Sequence, residues 1–487
     1  MRRSTLIATL LLSAWPLTGN AQWSTTEFEV FFGKPWSSKY PGVVDSGRAV
    51  EDLGIPADWW TLDEAQSRPA FIPQATVAEV ERYLHEVAEW MEAAGFNEPE
   101  LEPLVKRDDG KTAYRVYLHD MNTGEPARYG NACHAGKLRQ YIEVDIQAGA
   151  DDGFVIDGSG KITEKGYQDL AHELFHAVQA AYPLFTGNCD LGDWIVEGQA
   201  QAVGADAARA LRKVNTRDQA FWGTRRYHEP LRVQDDPPCP ASGGCPGRND
   251  AYWTASLWRY LAEMETLGGQ YPGAAFTEPD YAYLHRFLIR PLGGAPSEAV
   301  ELKWLDDNLA NSQFGFNKGL DRVYATFVTA FASYPDTRQA QSTAPSATKR
   351  TQWQDLIFGG CQPVAINPDQ TPAIVTVDLA VVSAACLRLE ATAGGVKAVS
   401  VTAHHDGNGA YADLWVGTQQ GLAVGKPLEV RVLENEFAEW RFRVDFQPGE
   451  ETLMVISNVA ADAENTGAQT VDLRLTATGW SSSVGTP

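Results

Sequence analysis

Two histidines four residues apart, with a glutamate directly after the first, carry the clearest chemistry in this chain. The segment Asp169-Leu170-Ala171-His172-Glu173-Leu174-Phe175-His176-Ala177-Val178-Gln179 contains the pattern HExxH. On a helix, positions four apart lie one above the other, so His172 and His176 can present two imidazole nitrogens to one ion. Glu173 then sits beside the metal, free to take a proton from an activated water. The chain has only nine histidines, so an accidental HExxH arises in roughly one such sequence per hundred. Leu170, Leu174 and Val178 supply an apolar stripe for the core, and Pro183 follows where the helix should end.

A carboxylate in a matching context lies downstream, in Trp194-Ile195-Val196-Glu197-Gly198-Gln199-Ala200, with twenty residues between His176 and Glu197. HExxH followed on the next helix by a glutamate in W-x-x-E-G-x-A surroundings resembles the gluzincin metallopeptidases, the zinc enzymes that include thermolysin and the aminopeptidase N group. The resemblance implies that Glu197 is the third ligand and Zn2+ the cofactor, with a peptide or protein as substrate. It also implies that Gly198, Ala200 and Ala202 let the two helices approach closely. Two neutral imidazoles and one carboxylate leave zinc a fourth, open position for water, as this chemistry needs. A histidine third ligand in HExxHxxGxxH is absent, since the residues after His176 read Ala-Val-Gln-Ala-Ala-Tyr.

The same resemblance extends to Asp250-Ala251-Tyr252-Trp253-Thr254-Ala255, where the family places a tyrosine at the start of a helix. By that analogy Tyr252 donates its hydroxyl to the developing oxyanion, with His228 a second candidate donor. The strand expected over residues 141–146 is either an interior strand without substrate contact or, as the resemblance to gluzincins implies, one along the cleft edge where a peptide can add as a further strand. The aminopeptidase group's GxMEN signature is not found, which favours endopeptidase cleavage. The resemblance covers residues 75–335 and does not reach the C-terminal part.

The elements that must position these residues show in the apolar periods. Val77, Val80, Leu84, Val87, Trp90 and Met91 recur at helical spacing up to Gly95. Residues 114–118 and 141–146 read as strands, and helical spacing dominates from 167–182 through 194–211 and 252–264 to about residue 333. Strands first and helices after describe an α+β unit. Residues 336–351 lose all hydrophobic period, as a linker does. Beyond it, short alternating runs at 373–379, 396–402, 428–433, 440–446, 452–456 and 471–475 are separated by Gly, Asp, Asn and Pro, the pattern of an antiparallel β-sandwich. His404 and His405, next to Asp406-Gly407-Asn408-Gly409, read as part of a hairpin rather than a metal site. The expected organisation is a signal peptide over 1–21, a lead-in segment over 22–70, a zincin-like catalytic domain over 71–340, a linker over 341–353 and the sandwich over 354–487.

Met1-Arg2-Arg3, an apolar stretch over residues 6–15 and Gly19-Asn20-Ala21 together form a secretory signal peptide cleaved near Ala21, so the expected place of the protein is periplasmic or extracellular. No other stretch is long and apolar enough for stable membrane insertion. In an oxidising compartment the six cysteines can form three disulfides, and short loops favour Cys239 with Cys245 and Cys361 with Cys386, leaving Cys133 for Cys189. Forty Lys and Arg against 63 Asp and Glu give a net charge of -23, which would repel a phosphate backbone and excludes nucleic acid as a partner. A second reading comes from another class: a catalytically inactive zincin scaffold whose sandwich docks on a glycan or a surface. An intact Glu173 weighs against it, because a scaffold relieved of catalysis has no physical need for a base there.

Overall fold

The computed structural model describes residues 23–35, most of 74–145, residues 155–214 and 254–331 with short gaps, and the strands and adjoining turns of 358–478. The signal peptide, residues 36–70 of the lead-in with 71–73 after it, the linker, Tyr252, His228 and the cysteines Cys133, Cys189, Cys239 and Cys245 lie outside the described residues.

The first sheet is built from β1 (Phe28–Pro35), β2 (Val105–Lys106), β3 (Thr112–Asp120), β4 (Ala127–Tyr129) and β5 (Ile142–Asp145), with α1 (Gln74–Ala93) between β1 and β2. Its order is β1-β3-β5-β4, with β2 paired to β3. β1, β3 and β5 run parallel, and β4 closes the edge antiparallel to β5. One expectation changes here, and one open alternative closes. The lead-in is not apart from the domain, because β1 pairs with β3 from Phe28↔Tyr114 to Phe32↔Leu118. Trp23 is buried as well and donates its indole N–H to the Phe96 carbonyl at 2.9 Å. Nor is the 141–146 strand at the sheet's edge: β5 is bonded on one side to β3 and on the other to β4, so the outer position belongs to β4.

Two helices follow the sheet and form the centre of the molecule, α2 (Glu164–Ala180) and α3 (Asp193–Arg212). Thr163 caps α2 by accepting the Gly166 N–H at 2.8 Å, which satisfies one of the otherwise unpaired donors of the first turn. α2 buries Leu170, Ala171, Leu174, Phe175, Ala177 and Val178. α3 is rich in Ala and Gly and is buried from Gly198 to Ala208, a composition that lets its backbone lie close to its neighbours. α4 (Ala255–Thr266) packs on α3, α5 (Ala282–Leu288) on α4, and α7 (Leu320–Phe331) on both α4 and α6 (Glu298–Ala310). Among the described residues, no helix is long and apolar enough to cross a membrane.

Among the described residues the C-terminal part has ten strands in chain order: β6 (Gln362–Ile366), β7 (Ala373–Leu379), β8 (Ser383–Ala391), β9 (Ala398–His405), β10 (Leu414–Thr418), β11 (Val424–Gly425), β12 (Glu429–Val432), β13 (Ala438–Asp445), β14 (Thr452–Asn458) and β15 (Gln469–Thr478). They form two sheets, ordered β11-β10-β14-β8-β6 and β12-β13-β9-β15-β7. One apolar cluster draws Val364, Leu387, Leu389, Met454 and Ile456 from the first sheet and Val375, Val377, Val399, Leu473 and Leu475 from the second. Strand alternation sends the other residues of the first sheet the opposite way. Ala384, Cys386, Leu453 and Val455 join the main helical core, and α7 packs on β10 and β14. That sheet is therefore covered on both faces, by the helices and by the second sheet.

The pairing is antiparallel except at β6, which runs parallel to β8. The chain crosses from β6 to β7 in the other sheet before returning as β8, so the returning strand arrives in the same direction. The expected disulfide Cys361–Cys386 is present and ties the start of β6 to β8.

Candidate metal centre

α2 and α3 together bring three nitrogen and oxygen donors to one point. The Nε2 atoms of His172 and His176 are 2.9 Å apart. Oε2 of Glu197 lies 3.1 Å from the first and 3.4 Å from the second. The circle through these three atoms has a radius of about 1.8 Å, less than the roughly 2.0–2.2 Å of a zinc–nitrogen or zinc–oxygen bond, so a point just off their plane lies within bonding distance of all three. The donor set, two imidazoles and a carboxylate, suits a divalent metal ion. Glu173 stands beside it: the donor atoms of His172, Glu173 and His176 all lie within 4.8 Å of one another.

Charge balance in this cluster follows from burial and proximity. Burial disfavours the imidazolium of His176, but the charge of Glu197 and its hydrogen bond more than reverse this and lift the group to about 9. Burial likewise opposes ionisation of Glu197, yet His176 and His172 hold its carboxyl well below the ordinary carboxylate range. Glu173 is pushed upward by burial, only partly offset by the two histidines. Asp169, one turn before His172, is also raised by burial and accepts both hydrogen bonds of Lys165 Nζ at 2.7 Å. A metal bound by these donors would compete with protons for them.

Further side chains fix the three donors. His176 Nδ1 lies 2.8 Å from Oε1 of Gln179, whose amide nitrogen donates to the Val196 carbonyl and to Oε1 of Gln199, each at 3.0 Å. The start of α3 is held by Glu301 of α6, a fully buried carboxylate that accepts the Gly192 N–H at 3.0 Å and the Trp194 indole N–H at 2.7 Å. The Trp194 carbonyl in turn accepts from Thr254 Oγ1 and Trp258 Nε1, with the two indoles stacked. Deeper along α3, Asp206 accepts from Arg259, Arg209 and Tyr281, so the helix is pinned at both ends.

The small residues act differently from the expectation. Gly198 does not face α2; a Cβ there would lie 1.9 Å from Thr254 Oγ1 and 2.9 Å from Trp258 Nε1. The close approach to α2 is made by Gly204, where a Cβ would lie 2.9 Å from the His172 nitrogen and 3.0 Å from the Gln168 oxygen. Gly204 is seven residues, two helical turns, beyond Glu197 and so lies on the same face.

Of the expected residues, the structure brings together His172, Glu173, His176 and Glu197. Sequence reasoning missed Gln179, Gly204, Glu301 and Asp206. Gln179 had a local signal in its spacing of three from His176, which places the two side chains on one face. Glu301 had none, being 109 residues from Gly192.

No protein-family model matches the chain, and no curated protein matches it. Among solved structures, the pre-peptidase C-terminal domain of a collagenase from Bacillus anthracis is 10% identical and covers 24% of this chain and 94% of its own, with a TM-score of 0.16. A family GH115 4-O-methyl-α-glucuronidase with specificity for decorated arabinogalactans is 13% identical, also with a TM-score of 0.16. It covers 70% of this chain, which spans 46% of that enzyme. At these scores neither likeness bears on fold or activity.

Proposed function

We propose that the chain is a zinc-dependent metallopeptidase of the gluzincin type, an endopeptidase that acts after export. In this reading residues 71–340 form a zincin-like catalytic domain, and the C-terminal sheets form a β-sandwich that docks on a surface or glycan. The observation that carries the reading is the convergence of His172 Nε2, His176 Nε2 and Glu197 Oε2, with Glu173 alongside.

When bound, zinc supplies a Lewis acid that lowers a water's pKa to about 7 and polarises a carbonyl. His172, His176 and Glu197 hold it, two neutral donors and one charged. Glu173 takes the proton from the attacking water on its carboxylate and returns it to the leaving amine. Burial raises the Glu173 carboxyl above the ordinary range, toward the basicity a proton shuttle near neutral pH requires. Tyr252 is the proposed oxyanion donor, by the family analogy. The burial of His172 and Glu173 keeps bulk water from the base, which strengthens each electrostatic contact there.

Glu173→Gln tests the reading. The variant should bind one zinc per chain by elemental analysis and cleave a mixed peptide library about 10²–10⁴-fold more slowly than the parent. Parent-like cleavage by this variant, or cleavage by the parent that survives a strong chelator, would contradict the assignment.

A further inference from the structure

The two ring nitrogens of His176 face different partners, and only one of those partners has a fixed polarity. Nε2 points to the cluster with His172 and Glu197, and Nδ1 lies 2.8 Å from Gln179 Oε1. An amide can in principle be turned by half a rotation, which would exchange its donor and acceptor ends. Here it cannot, because the other end of the Gln179 amide lies 3.0 Å from the backbone carbonyl of Val196, which only accepts. The NH2 group must therefore face Val196, and Oε1 must face His176. Facing an acceptor, Nδ1 carries its hydrogen, and in the neutral ring that leaves the lone pair on Nε2. Gln199 Oε1 accepts the second hydrogen of the same NH2 group, also at 3.0 Å. Gln179 is 1% exposed and Gln199 fully buried, so water does not substitute for either partner.

We infer that Gln179 is a positioning residue that transmits the polarity of the Val196 carbonyl to His176, fixing the imidazole in the Nδ1–H tautomer with Nε2 free to hold a metal. The inference rests on the zinc reading of the site and adds a device to it. Val196 immediately precedes Glu197, so one amide ties the histidine of α2 to the stretch of α3 that carries the carboxylate. The ligands on the two helices are thus set relative to each other before a metal arrives. Outer partners of this kind govern both the orientation and the basicity of a metal-bound imidazole.

The test compares Gln179→Met, which keeps the volume and removes both polar ends, with Gln179→Glu, whose neutral acid keeps an acceptor for Nδ1–H and a donor for the Val196 carbonyl. Zinc affinity of the full mature chain is read by competition with a chromophoric chelator, and the unfolding midpoint of the zinc-free protein is read alongside. Gln179→Met should weaken zinc binding by about 10–100-fold, and Gln179→Glu should recover most of that loss. A residue that only packs the core would shift the unfolding midpoint without this recovery. Zinc affinity in Gln179→Met within about threefold of the parent overturns the inference. A measurement on the parent alone covers the case in which the variants fail to fold. Histidine-labelled NMR of the zinc-loaded chain should show the His176 Nδ1–H exchanging slowly with solvent, and rapid exchange would overturn the inference too. A parent that takes up no zinc defeats the function reading instead, so the two failures are distinguishable.

Discussion

Replacing Gly204 by alanine probes the packing that brings together the two helices of the candidate metal centre. The added Cβ would lie 2.9 Å from the His172 backbone nitrogen and 3.0 Å from both its Cα and the Gln168 oxygen. Ordinary carbon contacts sit at about 3.5–4.0 Å, so the helices must part locally by about 0.5–1 Å. Backbone atoms obstruct the methyl group, and no rotamer change relieves the contact. Overpacking of this kind costs about 1–3 kcal/mol. The obstructed residue is itself a proposed ligand, and Glu197 rides on the helix that must withdraw. Its Oε2 stands 3.1 and 3.4 Å from the two imidazole nitrogens, and withdrawal by nearly 1 Å opens the triangle to a radius of about 2.2 Å, the upper limit of a zinc–nitrogen or zinc–oxygen bond. Gly204→Ala should therefore lower the urea midpoint of the zinc-free protein and weaken zinc binding beyond what the stability loss explains. A variant with the parent's midpoint and zinc affinity would refute the close approach of α2 and α3.

Glu301→Gln replaces one of two acceptor oxygens by a donor facing either Gly192 N–H or the Trp194 indole, which should destabilise the protein by about 2–3 kcal/mol in chemical denaturation. It should also loosen zinc binding, through the start of α3. Ser24 and Tyr114 hydrogen-bond Glu98 and, against the opposing effect of burial, hold its carboxyl below the ordinary value of 4.5. A depressed folded pKa contributes stability that is present above the unfolded value and lost as pH falls through the folded one. Stability should thus decline below about pH 4.5, and Glu98→Gln should flatten part of that decline in urea titrations at several pH values. Reducing or replacing Cys361 and Cys386, which close a 25-residue separation, should cost about 3.5 kcal/mol of stability while leaving zinc affinity unchanged.

What could be read from the sequence follows from how local each determinant is. His172, Glu173 and His176 share one helical turn, and Glu197 sits on the next helix, so both pattern and spacing expose them. The apolar periods place α1, α2 and α3 within a few residues of their ends because amphipathic spacing is itself local. β1 was hidden because its partner β3 lies more than eighty residues away, and a parallel partner leaves no turn signature. The direction of Gly198 was equally hidden. A small residue signals close approach to something, and only the assembled helices show that its neighbour is α4, with Gly204 facing α2. The parallel β6–β8 pair escaped because strand runs alone do not reveal that the chain switches sheets between them.

The central claim is most directly tested by X-ray diffraction from crystals of the purified chain soaked in zinc, with data on both sides of the zinc absorption edge. The account predicts one anomalous peak about 2.0–2.2 Å from His172 Nε2, His176 Nε2 and a Glu197 oxygen together. A zinc peak elsewhere with these side chains pointing apart, or no peak between α2 and α3 at saturating zinc, would contradict it.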